Sequence, residues 1–79
     1  MKENRRYLLD TNVLIEIIHG NRTVINHVLT VGTKACAVIV DKFDMVIAGQ
    51  ALYNDMIVVT NNLKHFKGID NLLVEDWSR

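Results

Sequence analysis

A short apolar run, Tyr7–Leu9, stops at Asp10, and after two small polar residues a second apolar stretch takes over at Val13 and continues to Ile18. The first run has strand length. In the second, Leu14, Ile17 and Ile18 share one helical face, which Val13 and Ile15 widen. Thr11 or Asn12 can cap this helix, and Gly20 ends it in the usual position just past a helix terminus. A second helix is predicted from about Arg22 to Val31, with Val24, Ile25, Val28 and Leu29 as its apolar stripe and Gly32 as its stop. Residues 35–40, "ACAVIV", are continuous and rich in β-branched side chains, the pattern of a strand covered on both faces. Residues 44–53 form a third helix, with Met45, Ala48 and Leu52 along one side and Ile47 and Ala51 along another. Residues 56–60, "MIVVT", predict a further buried strand. Residues 72–74 predict a last edge strand, after which Trp77 packs back on the core.

Strands that alternate with helices predict parallel pairing through crossovers. The expected class is therefore α/β, a small parallel sheet flanked by helices in a three-layer α/β/α arrangement, and residues 1–79 make one domain. Composition tightens this picture. With 49% hydrophobic residues and no proline, the chain reads as compact, and 79 residues bury only a marginal core. Nine basic residues balance nine acidic ones, so no global positive field draws in nucleic acid and any such binding must be local. The lone cysteine, Cys36, excludes an internal disulfide and reads as a small apolar strand residue in a reducing compartment. No apolar run approaches the ~20 residues of a membrane span, so a soluble, cytoplasmic protein is expected.

The candidate chemistry lies at the strand ends. In an open parallel sheet, loops and helix N-termini converge beyond the carboxyl ends of the strands. Asp10 follows the first strand, Asp41 and Asp44 the second, and Thr60, Asn61 and Asn62 the third. Carboxylate and amide oxygens gathered in this way suit a hard cation such as Mg²⁺ or Mn²⁺. Structural roles compete at each position. Asp10 can serve as a helix cap. Asp41 and Asp44, three residues apart, resemble a cap with an acid at the third helical position, and for Asp41 that is the preferred reading. Asn61 and Asn62 can be turn residues and His65 a half-buried histidine. His19, at a helix C-terminus, and His27, on a polar face, receive no catalytic role.

Three stretches, "LLDTNVLIEIIHG", "DKFDMVIAGQAL" and "VVTNNLKHFKGIDNLLVEDW", together resemble the PIN-domain family, and within it the VapC-type toxins of bacterial toxin–antitoxin pairs. The resemblance implies a Mg²⁺-dependent endoribonuclease that hydrolyses RNA phosphodiesters. It implies Asp10 and Asp44 as metal ligands and catalytic acids, with Asn62 as a catalytic polar residue. Thr11, Asn12, Thr60 and His65 would support them. The chain departs from the family pattern in its middle, where a helix bearing a further Glu is expected but "ACAVIV" runs directly into "DKFD". No Glu occurs between Glu16 and Glu75. Glu16 and Asp41 are the conceivable substitutes.

The resulting expectation is a shortened PIN-like domain whose ribonuclease activity is impaired and whose Mg²⁺ or Mn²⁺ is weakly held. The alternative is a non-catalytic interaction module that meets an antitoxin or a full-length toxin. A phosphoacceptor domain of the response-receiver kind fits less well, since the lysine it needs after a later strand has no clear counterpart. RNA and an antitoxin are the expected partners. A homodimer is also expected, domain-swapped if the short link between Val40 and Asp44 keeps the third helix from its own sheet. Its interface would centre on Leu14, Ile18, Met45, Ala48 and Leu52.

Overall fold

A computed structural model describes residues 5–78. The elements run β1 (Tyr7–Leu9), α1 (Thr11–Ile18), α2 (Arg22–Val31), β2 (Cys36–Val38), α3 (Asp44–Tyr53), β3 (Ile57–Val59) and β4 (Val74–Glu75), with 3₁₀ turns at Thr33–Ala35 and Leu63–His65. The strands form one four-stranded sheet in the order β2-β1-β3-β4. Every pairing is parallel, and Leu8 stands opposite both Ala37 and Val58.

The period-two alternation of the strands builds the layers. Leu8 and Val58 point to one face, where Ile47, Ala48 and Ala51 of α3 cover them together with Met56 and Phe66. Leu9 and Val59 point to the other, against Val13 of α1, Val24 of α2 and Trp77. This is the expected three-layer α/β arrangement, with Trp77 packed on the core.

Helix boundaries follow local chemistry. The Asn21 side chain accepts hydrogen bonds from the Thr23 and Val24 amides, at 3.0 and 3.3 Å, and so caps α2. Gly32 ends that helix with φ of 93°, a conformation that favours glycine. Gly20, with φ of 80°, follows α1 in the same way.

Several expectations need correction. Asp10, not Thr11 or Asn12, holds the N-cap position of α1, and its side chain makes no cap hydrogen bond. On α1 Val13 is fully buried and Ile17 packs against the same cluster, whereas Ile18 is 71% exposed. Leu29 is likewise exposed on α2. The second strand is shorter than residues 35–40 and lies at a sheet edge, so Val38 and Val40 are exposed rather than covered on both faces. Asp41 does not cap α3. Its Oδ1 accepts the Phe43 amide at 2.8 Å, Phe43 takes the N-cap position, and Asp44 is the first helical residue rather than the third. His27 stacks on Trp77, with ring centroids 5.2 Å apart, instead of lying on a polar face. The reason given for a domain swap also fails, because α3 packs on its own sheet despite the short link. Ala48, only 2% exposed, belongs to that packing and cannot centre an interface.

Candidate functional site

Hydrogen bonds of the sheet fix the first acid. The Asp10 amide donates to Val59 O at 3.0 Å, and the Thr60 amide donates to Glu75 O at 3.0 Å, so the two residues close β1 and β3 side by side. Both are buried. Their side chains meet there, where Thr60 Oγ1 donates to Asp10 Oδ2 at 2.9 Å. The same hydroxyl oxygen accepts the Asn62 amide at 3.0 Å, which sets the turn that carries Asn62 away from the strand. Next to them, Thr11 Oγ1 donates to Ile39 O at 3.1 Å and ties the start of α1 to the end of β2.

Beyond these strand ends lies a cavity of about 690 Å³, lined by Asp10, Thr11, Asn12, Val40, Asp41, Lys42, Phe43, Asp44, Asn62 and His65. Asp44 enters it from the first position of α3, and His65 Nδ1 lies 3.0 Å from Asp44 Oδ2. The three expected site residues, Asp10, Asp44 and Asn62, thus line one cavity, together with Thr11, Asn12 and His65. Thr60 supports them from below through Asp10.

The two substitutes proposed for the absent Glu separate clearly. Glu16 is engaged elsewhere, its Oε1 accepting Asn21 Nδ2 at 3.3 Å, and it does not line the cavity. Asp41 does. Lys42 and Phe43 were not anticipated as site residues. The signal was present in "DKFD", where an aromatic directly precedes an acid that opens a helix.

The donor set fits a hard divalent cation by type. Mg²⁺ takes oxygen ligands, retains several waters and needs only one or two carboxylates from a protein. Asp10 and Asp44 can supply these, since Thr60 engages only the Oδ2 of Asp10. The arrangement is sparse, however. Among the described residues no three His, Cys, Asp or Glu side chains are grouped to hold a metal by themselves. A shared cation would also offset the repulsion between acids that line the same cavity.

Comparison with known proteins finds a likeness to one kind of enzyme. Ribonuclease VapC2 of Rickettsia felis is 42% identical over 41 residues, 52% of this chain and 31% of that protein. The tRNA(fMet)-specific endonuclease VapC of Shigella flexneri is 46% identical over 39 residues, 49% of this chain and 30% of that protein. Its Salmonella typhimurium namesake is 45% identical over 38 residues, 48% of this chain and 29% of that protein. The likeness is to VapC ribonucleases. The chain spans less than a third of the length of these curated VapC relatives in the stretch it matches. No family model and no solved structure matches the chain.

Proposed function

We propose that this chain is a PIN-like, VapC-type domain that acts on RNA as a weak metal-dependent endoribonuclease. One observation carries the reading: Asp10, Asp44 and Asn62, brought from three separate parts of the chain, line a single cavity beyond the carboxyl ends of a parallel sheet. The VapC likeness supports RNA as the substrate class.

Asp10 and Asp44 would hold Mg²⁺ or Mn²⁺. When bound, such an ion lowers the pKa of a coordinated water and stabilises charge on a transferring phosphoryl group. The residues themselves position the reaction. Thr60 holds the Asp10 carboxylate in one orientation, and His65 does so for Asp44. Asn62, fixed through its amide to the same Thr60 hydroxyl, presents a side-chain amide at the cavity wall. Activity is impaired because a third closely grouped acid is missing, which removes positioning as well as charge. Asp41 is the acid available to compensate in part.

The test combines Mn²⁺ titration with an RNA cleavage assay. Wild type should bind Mn²⁺ and cut RNA slowly, whereas Asp10→Asn and Asp44→Asn should weaken metal binding by more than about tenfold, since even the loss of a residue that only orients a ligand costs that much, and abolish cleavage. Absence of both metal binding and Asp10-dependent cleavage would overturn the proposal. The second reading, a non-catalytic module that meets an antitoxin or full-length toxin, is favoured by the sparse acid set. It predicts binding of such a partner unaffected by chelators. Self-association into a homodimer is compatible with either reading.

A further inference from the structure

Phe43 is out of place by every local criterion. It occupies the N-cap position of α3, where an aromatic cannot accept a backbone hydrogen bond and where Ser, Thr, Asp or Asn is preferred. It is not part of the core either, being 61% exposed. Positions that break local rules without a structural gain are where function is expected. The ring nonetheless has a defined setting. Asp41 Oδ1 accepts the Phe43 amide and closes a tight turn, and the first turn of α3 continues directly from Phe43. The residue lines the same cavity as Asp10 and Asp44. Lys42 Nζ lies 5.8 Å from the ring centroid, within the range of cation–π attraction. Among the described residues lining the cavity, Lys42 alone bears a fixed positive charge.

We propose that Phe43, with Lys42 beside it, is a stacking platform for an unpaired base of single-stranded RNA next to the phosphate that enters the acid cavity. The inference rests on the nuclease reading above and deepens it by naming the side chains that would position the RNA beside the acids. An exposed aromatic face paired with a cation is the recurring unit of single-strand recognition: the ring accepts any base and the cation meets the backbone. In a duplex the bases are already stacked on one another and have no face to offer Phe43. The surroundings favour RNA over a protein partner, because beside the apolar Val40 the ring shares its cavity with Asn12, Asn62, Lys42 and His65, which can meet base edges and phosphates.

The experiment measures fluorescence anisotropy of a labelled single-stranded RNA, and of the same sequence as a duplex, with wild type and variants in Ca²⁺ and again in EDTA. Phe43→Leu should weaken single-strand binding about five- to 150-fold, leave duplex binding unchanged and leave the thermal unfolding temperature unchanged. Phe43→Trp should retain single-strand binding. Lys42→Gln should lower the slope of log affinity against log salt by about 0.7. Equal affinities for Phe43→Leu and wild type would overturn the platform, as would equal losses on single strand and duplex. If Asp10-dependent cleavage persists in that case, the nuclease reading survives. Loss of antitoxin binding in Phe43→Leu with RNA binding intact would assign the ring to a protein interface and overturn the proposal. Absence of RNA binding by wild type would overturn the platform and the nuclease reading together.

Discussion

A buried carboxylate requires hydrogen-bonding partners, and Asp10 has the Thr60 hydroxyl 2.9 Å from its Oδ2. That hydroxyl is also the acceptor for the Asn62 amide, so one oxygen atom joins the first acid to the turn that carries the site's amide. Thr60→Val keeps the shape and removes both bonds. It should destabilise the fold by about 1.5–3 kcal/mol, the range for hydrogen bonds to charged groups. Thr60→Ser keeps the hydroxyl and should cost only about 0.8 kcal/mol for a lost methyl group. Urea unfolding followed by circular dichroism distinguishes the two, and a Val variant as stable as the Ser variant would remove Thr60 from its role. At this scale the sequence revealed Asp10, Asp44 and Asn62, since each sits where a strand gives way to a loop or a helix opens. It did not reveal that Asp10 spends one carboxylate oxygen on Thr60 rather than on the helix it precedes, because that choice depends on β3 arriving alongside β1. The fate of Glu16, turned toward Asn21 at the start of α2, was equally invisible without the angle between the two helices.

Secondary-structure elements show a second division between what local sequence decides and what the assembly decides. The bounds of α2 and α3 match expectation because glycine, a capping Asn and helical periodicity all act within a few residues. The second strand was overestimated because "ACAVIV" records apolar character, whereas strand length depends on pairing, and β2 has a partner on one side only. For α3, almost wholly apolar, periodicity could not choose the inward face. The sheet chooses Ile47, Ala48 and Ala51. Ile47→Ala should therefore cost about 2–5 kcal/mol, whereas Met45→Ala, at a position 74% exposed, should change stability by no more than about 0.5 kcal/mol. Similar values for the two variants in denaturant titrations would contradict this placement of the helix.

The turn between α3 and β3 gives a pH-dependent test at the same scale. Asp55, with φ of 56°, pairs with Arg5 just ahead of β1. The hydrogen bond from Arg5 holds the Asp55 carboxyl below the usual carboxylate range. An acid that binds its proton less readily when folded contributes stability above its unfolded pKa and loses it as pH falls through the folded value. Asp55→Asn removes that contribution while retaining a residue that tolerates left-handed backbone. Between pH 6 and pH 2 the wild-type urea midpoint should fall more steeply than that of Asp55→Asn, since the other carboxylates are common to both. Parallel curves would mean that the Arg5 pair contributes nothing to folding.

At the scale of the whole molecule, apolar side chains remain outside on both helical layers. Met45, Val46, Leu52 and Tyr53 of α3 are exposed on one side of the sheet, and Ile15, Ile18 and Leu29 of α1 and α2 on the other. Burial of such residues is favourable at roughly 25 cal/mol per Å² of apolar area. Long-range repulsion does not oppose it, because nine basic and nine acidic residues leave the chain with a formal net charge of zero at pH 7. A second copy of the chain is the simplest partner, and the contact would be made by the outer faces of intact helices rather than by exchange of α3. Sedimentation velocity at micromolar concentrations should show a reversible dimer whose thermal midpoint rises with protein concentration. The double substitution Met45→Glu with Leu52→Glu places charge on the outer face of α3 without touching Ile47, Ala48 or Ala51. If α3 forms the contact, this variant should be monomeric, retain its circular dichroism spectrum and lose the concentration dependence. A dimer that persists in this variant would move the interface to Ile18 and Leu29, and a monomer in the wild type would exclude self-association as the means by which these faces are covered.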